Sequence, residues 1–205
     1  MAGQTYPVNI TGELTAPPGR WKWLIKLVLA IPHILVLALL LVAFIFVWII
    51  AFFAIAFTGR FPRGLFDFNV GVLRWTWRVE FYTYWALGTD KYPPFTLKSV
   101  DYPADLQVEY PEKLSRGLVW IKWWLLVIPH YIVVSFFQAG GNRRNNSLGL
   151  VNFLAIFAGF VLLFTGKYPE SIFKLVIGLN RWSYRVCAYA ALMTDQYPPF
   201  RLWDD

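Results

Sequence analysis

The chain has one cysteine and two histidines in its 205 residues. A lone Cys187 excludes an internal disulfide, a cysteine-rich metal site and an iron–sulfur cluster. A single thiol in an apolar stretch reads as packing. The chemistry-bearing motifs are missing too. There is no Gly-x-Ser-x-Gly, no His-x-x-x-His pair, no glycine-rich phosphate loop and no paired carboxylates inside the apolar runs. Enzyme and pump readings find no support, and the expectation is a protein that is not an enzyme. Charge is scarce at 15% of residues, with 19 Lys and Arg against 12 Asp and Glu. Because the basic residues flank hydrophobic runs, the net charge of +7 points to anionic lipid headgroups rather than nucleic acid.

What the chain has in excess is apolar surface. Hydrophobic residues make up 58% and mean hydropathy is +0.47, well above the roughly 45–50% apolar content of globular domains. Ile34 to Phe57 carries no polar side chain at all, longer than the ~20 residues a helix needs to span a bilayer. The expected class is an all-α integral membrane protein. The first 20 residues, with Thr, Asn, Glu and three prolines, do not resemble a cleavable leader. The first hydrophobic segment is therefore expected to act as its own insertion signal.

The chain repeats itself. RWTWRVEFYTYWALGTDKYPPF from Arg74 returns as RWSYRVCAYAALMTDQYPPF from Arg181, Pro32-His33 returns as Pro129-His130, and Thr58-Gly59-Arg60-Phe61-Pro62 as Thr165 to Pro169. The register is constant between Phe66/Phe173 and Arg78/Arg185, after which the first copy carries two extra residues. Two repeats are read, 1–98 and 99–205. Each comprises a short strand (residues 6–15; LQVEY, 106–110), a transmembrane or re-entrant helical hairpin, an Arg-containing interfacial helix and a short terminal strand.

The copies differ in length between histidine and Thr-Gly. The extra ten residues lie in or beside QAGGNRRNNSLG, 138–149. The second apolar run therefore reads as two helices, about 118–137 and 148–164, joined by a polar loop carrying Arg143 and Arg144. By analogy the first bends near Leu40; the alternative is one long helix kinked at Pro32. Lys22, Lys26, Arg60, Arg63, Lys113, Arg116, Lys122 and Lys167 lie at the open ends, which places both termini in the cytoplasm of a multi-pass protein.

On the helix Phe66 to Trp85, Asp67, Arg74 and Arg78 share one stripe, while Asn69, Thr76, Glu80 and Thr83 share a roughly opposite one. This pattern suits a helix wedged between hairpins and a polar layer, or one lying at the interface. The counterpart of Asp67 is Lys174, leaving Lys174, Arg181 and Arg185 as a cationic stripe able to take a phosphate. Arg74 and Arg78 are the matching candidates of the first copy. In the alternative reading the arginines are structural and pair with Asp67, Asp90 or Asp195. His33 and His130, at equivalent positions, are candidate axial ligands for haem or another porphyrin. In the competing reading each imidazole caps a carbonyl freed by the proline before it.

The motifs IPH, FTG[RK][FY]P, RWxxRV and TDxYPPF, in that order and twice over, resemble an uncharacterised bacterial membrane-protein family. This is a domain of unknown function that occurs in single and tandem copies. The resemblance covers nearly the whole chain and implies a bacterial inner (plasma) membrane location; it brings no activity, ligand or site. The leading expectation is a membrane scaffold or accessory subunit that engages anionic lipid headgroups or a larger membrane complex. A haem-binding electron-transfer accessory and a small transporter or channel are the alternatives.

Overall fold

The computed structural model describes residues 6–14, 18–139 and 149–203. Seven elements carry the fold: β1 (Val8–Gly12), α1 (Lys26–Thr58), α2 (Arg63–Tyr82), β2 (Ala104–Val108), α3 (Ile128–Ala139), α4 (Leu150–Thr165) and α5 (Glu170–Ala190). Both copies stop their apolar helix the same way. Gly59 and Gly166 each take a left-handed φ of 71°, and their amides close onto Ile55 O and Leu162 O. Pro62 and Pro169 then open α2 and α5, where a missing N–H costs nothing.

β1 and β2 pair antiparallel, with Val8 opposite Val108, Ile10 opposite Leu106 and Gly12 opposite Ala104. They are the opening strands of the two copies, so the ladder marks a pseudo-two-fold axis near Ile10 and Leu106. Their alternation is clean: Val8, Ile10, Ala104 and Leu106 are buried, while Asn9, Thr11, Gln107 and Glu109 face outward. The expected terminal strand at Phe95 to Leu97 is not formed. Those residues turn instead, because Phe95 is drawn onto His33 and the Leu97 carbonyl onto Arg74.

The expected bend near Leu40 is absent as well. α1 runs unbroken through Pro32 for 33 residues, about 50 Å at 1.5 Å per residue. Pro32 loosens its own turn, and the Tyr92 hydroxyl donates to the Leu29 carbonyl there at 3.0 Å. Nor does the second copy fold back as a hairpin. Trp120 and Trp123, just before α3, pack on Phe52 and Trp48 in the second half of α1. Phe160 of α4 packs on Trp23, beside the start of α1. So α3 and α4 follow one another along α1, running in the opposite direction. α4 begins against the end of α3: Gly149 abuts the Gln138 carbonyl, which leaves no room for a Cβ. Gln138 and Gly149 correspond to Leu41 and Val42, so the ten extra residues interrupt a helix that is continuous in the first copy. The loop with Arg143 and Arg144 lies outside the described residues.

A second irregularity has the same origin. Lys26 and His33 are seven positions apart, but Lys122 and His130 are eight. The extra residue is absorbed as a turn of π-helix over Lys122–Leu126, closed by Leu126 N–H donating to Ile121 O at 3.2 Å. A π-turn is how a helix takes one insertion without changing what its ends face.

The layers follow from α2. Its residues Arg74, Trp77, Arg78 and Phe81 face the strands: Arg74 Nε donates to Leu106 O at 2.9 Å and Trp77 Nε1 to Thr11 O at 2.8 Å. Its residues Trp75 and Val79, on the opposite side, pack with Ala30 and Leu37 of α1. The two-stripe pattern thus places α2 between a helix and a polar layer. Stacked in order are the strand pair, then α2 and α5, then α1 with α3 and α4. The third layer is open outward. Leu35, Leu39, Val42, Phe46, Ile50, Phe53 and Phe57 form one exposed stripe along α1, reaching 74% and 75% exposure at Leu39 and Phe57. Phe153, Phe157, Phe160 and Phe164 continue it on α4.

Candidate functional site

Among the described residues, the ionisable side chains beneath this apolar layer fall into four sets, three of which occur once per copy. The first joins the entry helices to the Thr-Asp turns. Lys26 Nζ lies 2.9 Å from Asp90 and donates to Thr89 O at 2.6 Å. Lys122 Nζ lies 2.6 Å from Asp195 and donates to Thr194 O at 3.1 Å. Each carboxylate also takes an amide, from Gly19 and Ser115, at 2.6 Å. Asp90 and Asp195 are thus ion-paired to lysines, not to the arginines of the sequence reading. Burial pushes the Asp90 carboxyl up, but the Gly19 amide and the Lys26 ammonium outweigh it and hold the group below its usual range.

The second set encloses the histidines. His33 stacks on Phe95 at 3.9 Å and meets Tyr92 at 4.8 Å; His130 stacks on Phe200 at 4.2 Å and meets Tyr197 at 4.8 Å. Trp75 Nε1 donates to His33 Nδ1, and Trp182 Nε1 to His130 Nδ1, each at 3.1 Å. With Nδ1 accepting, a neutral ring carries its proton on Nε2. Both rings are wholly enclosed, so a porphyrin would reach Nε2 only by displacing the groups packed around it. His33 and the Tyr-Pro-Pro-Phe segment lock together. This is why the repeated motifs IPH and YPPF, some sixty residues apart, belong to one unit.

The third set is the arginines. Arg74 and Arg78 share Asp105 of β2, each at 3.1 Å, and also donate to Leu97 O and Thr96 O. They tie α2 to the strands. Asp67 pairs instead with the exposed Arg63, at 3.2 Å. In the second copy Arg185 is buried with its guanidinium over the Tyr6 ring at 5.4 Å, and Arg181 is half-buried. Lys174 is exposed. Lys174 and Arg185 therefore do not share a surface, because α5 turns its buried face to the strands.

The fourth set is one that the motif search did not single out. A cleft of about 490 Å³ opens between α1, α2 and α4, from Leu27 to Leu41 on one wall and Asn152 to Ile156 on the other. On its floor lies Glu80, half-buried. Its Oε2 accepts from the Tyr184 hydroxyl at 2.7 Å, from the other copy. Burial pushes the carboxyl up to about 7, the tyrosine bond acting the other way. A smaller cleft of about 360 Å³ lies at the equivalent place in the second copy, where Cys187 replaces Glu80 and Trp48 and Trp123 narrow the walls. The signal was in the alignment of the copies: an acid facing a thiol.

The fold and these buried sets define a tandem-repeat helical protein in which, among the described residues, one helix, Lys22–Thr58, is long and apolar enough to cross a membrane. The chain belongs to the family described as Domain of unknown function (DUF4389), which it matches twice, over residues 20–96 and 118–201. The matched segments begin at the entry helices and end at the YPPF turns, the same units that the buried contacts join. No curated protein and no solved structure matches the chain.

Proposed function

We propose that the protein is a non-enzymatic membrane scaffold that lies in one leaflet, with its long helices in the membrane plane and its strand pair in water. One observation carries this reading: the apolar layer and the polar strands are on opposite sides of α2 and α5, and both are centred on the same pseudo-two-fold axis. Were α1 to cross the bilayer, that axis would lie at mid-depth. Asn9, Thr11, Gln107 and Glu109, outward-facing on the strands, would then sit in hydrocarbon, where unpaired polar groups cost several kcal/mol each. Laid flat, the same axis runs along the membrane normal and the strands are hydrated. Length agrees, since a helix of about 50 Å exceeds the ~30 Å hydrocarbon core by more than ordinary tilt absorbs.

The rims support an anionic surface as the partner. Arg20, Lys22 and Lys167 are exposed at one end of the helix pair, and Arg60, Arg63, Lys113 and Arg116 at the other. Trp21, Trp120 and Trp124 are exposed near the same ends, where indole and ammonium groups suit headgroup depth. In this disposition anionic headgroups meet the rim cations and Lys174, while Arg74 and Arg78 act within the fold. The bacterial inner membrane is the proposed location, and a partner complex would dock on the strand side.

The test is a depth profile. Single spin labels at Leu35, Leu39, Phe46, Ile50 and Phe57, in a Cys187→Ser background, are read by oxygen and nickel collision rates in vesicles containing anionic lipid. A uniform shallow depth is expected at all five. Depth that peaks near Phe46 and falls toward both ends would establish a crossing helix and refute the reading. Failure to float with vesicles would remove the membrane altogether.

A further inference from the structure

We propose that the Glu80 cleft is a binding site for a lipophilic amine, a ligand with a primary ammonium head and an apolar body. The inference depends on the leaflet reading only for the ligand's route in, since the cleft opens between two helices of the apolar layer.

The first argument is the comparison between copies. Position 80 and position 187 are equivalent, and the second copy builds the same helix with a thiol there. A carboxylate is therefore not needed to make the fold. Across the cleft, Asn152 stands where the first copy has Ile45. Both polar substitutions fall in the wider cleft, Glu80 on its floor and Asn152 on a wall, and their counterparts in the other copy are a thiol and an isoleucine.

The second argument is what remains free to bond. Glu80 Oε2 is taken by Tyr184 and the Asn152 amide nitrogen donates to Tyr84 O at 3.1 Å. Thr76 and Thr83 give their hydroxyls to the Val72 and Val79 carbonyls of their own helix, at 2.9 and 2.8 Å. Among the polar side chains lining the cavity, Glu80 keeps a second carboxylate oxygen and Asn152 its amide oxygen beyond these bonds, among largely apolar walls. Acceptors call for a donor, and a carboxylate in apolar surroundings calls for a cation. A hydroxyl would satisfy a lone pair yet leave the charge uncompensated. The apolar walls along Leu27, Ile34 and Leu41 take the body of the ligand.

The pH dependence follows. The ionisable groups around Glu80 are Tyr184, Tyr84 and Cys187, and burial raises all three, the thiol to about 11. Glu80 alone changes charge near neutrality. An alkylammonium binds the ionised form, so its affinity rises with pH through about 7 and then levels.

The experiment uses the whole chain in non-ionic detergent, so that its outcome does not depend on how the protein sits in a bilayer. Binding of dodecylamine is read by isothermal titration, with dodecanol as the uncharged comparison. Saturable 1:1 binding of the amine is expected, weakened at least tenfold by Glu80→Gln and at least tenfold from pH 8 to pH 6. Ala38→Phe, which fills the cleft and leaves the carboxylate in place, is expected to abolish binding, while Cys187→Ser leaves it unchanged. Equal affinity for dodecanol, retention of amine binding in Glu80→Gln, or retention in Ala38→Phe would each overturn the proposal.

Discussion

Replacing Asp195 by asparagine strands an ammonium inside the protein. Lys122 is fully buried, and its Nζ bonds Asp195 at 2.6 Å and the Thr194 carbonyl at 3.1 Å. The substitution keeps the side-chain volume and removes only the charge, leaving neutral oxygens and the Tyr189 ring to solvate a cation. Breaking one side of such a pair costs about 3–5 kcal/mol, because the surviving charge has no water to return to. With an unfolding entropy of about 2.1 cal/mol/K per residue over 205 residues, that lowers Tm by about 7–12 °C. Far-UV circular dichroism melts in non-ionic detergent measure it. Asp90→Asn, the equivalent change, is expected to cost at least as much, since Lys26 loses its partner while Lys22, 3.6 Å from the same carboxylate, remains beside it. Adding Lys122→Met to Asp195→Asn is expected to recover most of the loss, as a buried apolar stem needs no counter-charge. A loss below about 1 kcal/mol in both single variants would refute the argument; it would mean that water reaches the lysines.

Three further outcomes are expected. Glu80 has a native pKa raised to about 7, so the native state holds its proton more tightly than the unfolded chain does. Its contribution is therefore fullest below about pH 4.5 and is lost as pH rises to 7, by at most about 3 kcal/mol at 1.36 kcal/mol per unit; urea midpoints across this window should flatten in Glu80→Gln. Leu192 sits at a φ of 66° and is fully buried. Leu192→Gly relieves about 1–2 kcal/mol of backbone strain but forfeits a core leucine worth about 2–5 kcal/mol, so a net loss should appear in equilibrium unfolding. Deleting residues 139–148 joins the ends that Gly149 and Gln138 already bring together and should restore an unbroken helix; Tm within about 3 °C of the parent and unchanged helical ellipticity are the expected readouts.

Much of the unit was legible because it is local or repeated. Gly59-Pro62 and Gly166-Pro169 mark helix ends in any context, through left-handed caps and a missing amide donor. The two stripes on α2 identified a helix with two different neighbours. The lysine partners of Asp90 and Asp195 were not legible. The sequence reading weighed those acids as partners of the arginines on the helix just before them, whereas the ion pairs form between segments more than sixty residues apart. Asp105, the carboxylate that holds Arg74 and Arg78, was missed for the same reason. It lies on the other copy's strand, and only strand pairing brings it over α2. The histidine boxes were legible as equivalence but not as structure, since stacking on Phe95 and Phe200 depends on how the YPPF turn is folded.

By itself the sequence determined that the chain is two copies of one helical unit, with apolar helices, basic rims and matched histidines. Those properties are written in composition, spacing and self-similarity. Tertiary structure decided how the copies are joined. Packing two similar units about an axis pairs their strands, lays α3 and α4 end to end along α1, and gathers the exposed apolar stripes of α1 and α4 on one side. It also decided where the one unmatched acid lies. Along the chain Glu80 is a polar residue on a helix stripe; between α1 and α4 it is a carboxylate on the floor of an apolar cleft. Burial, with no counter-charge paired to it among the described residues, then gives it a chemistry that no spacing of residues encodes.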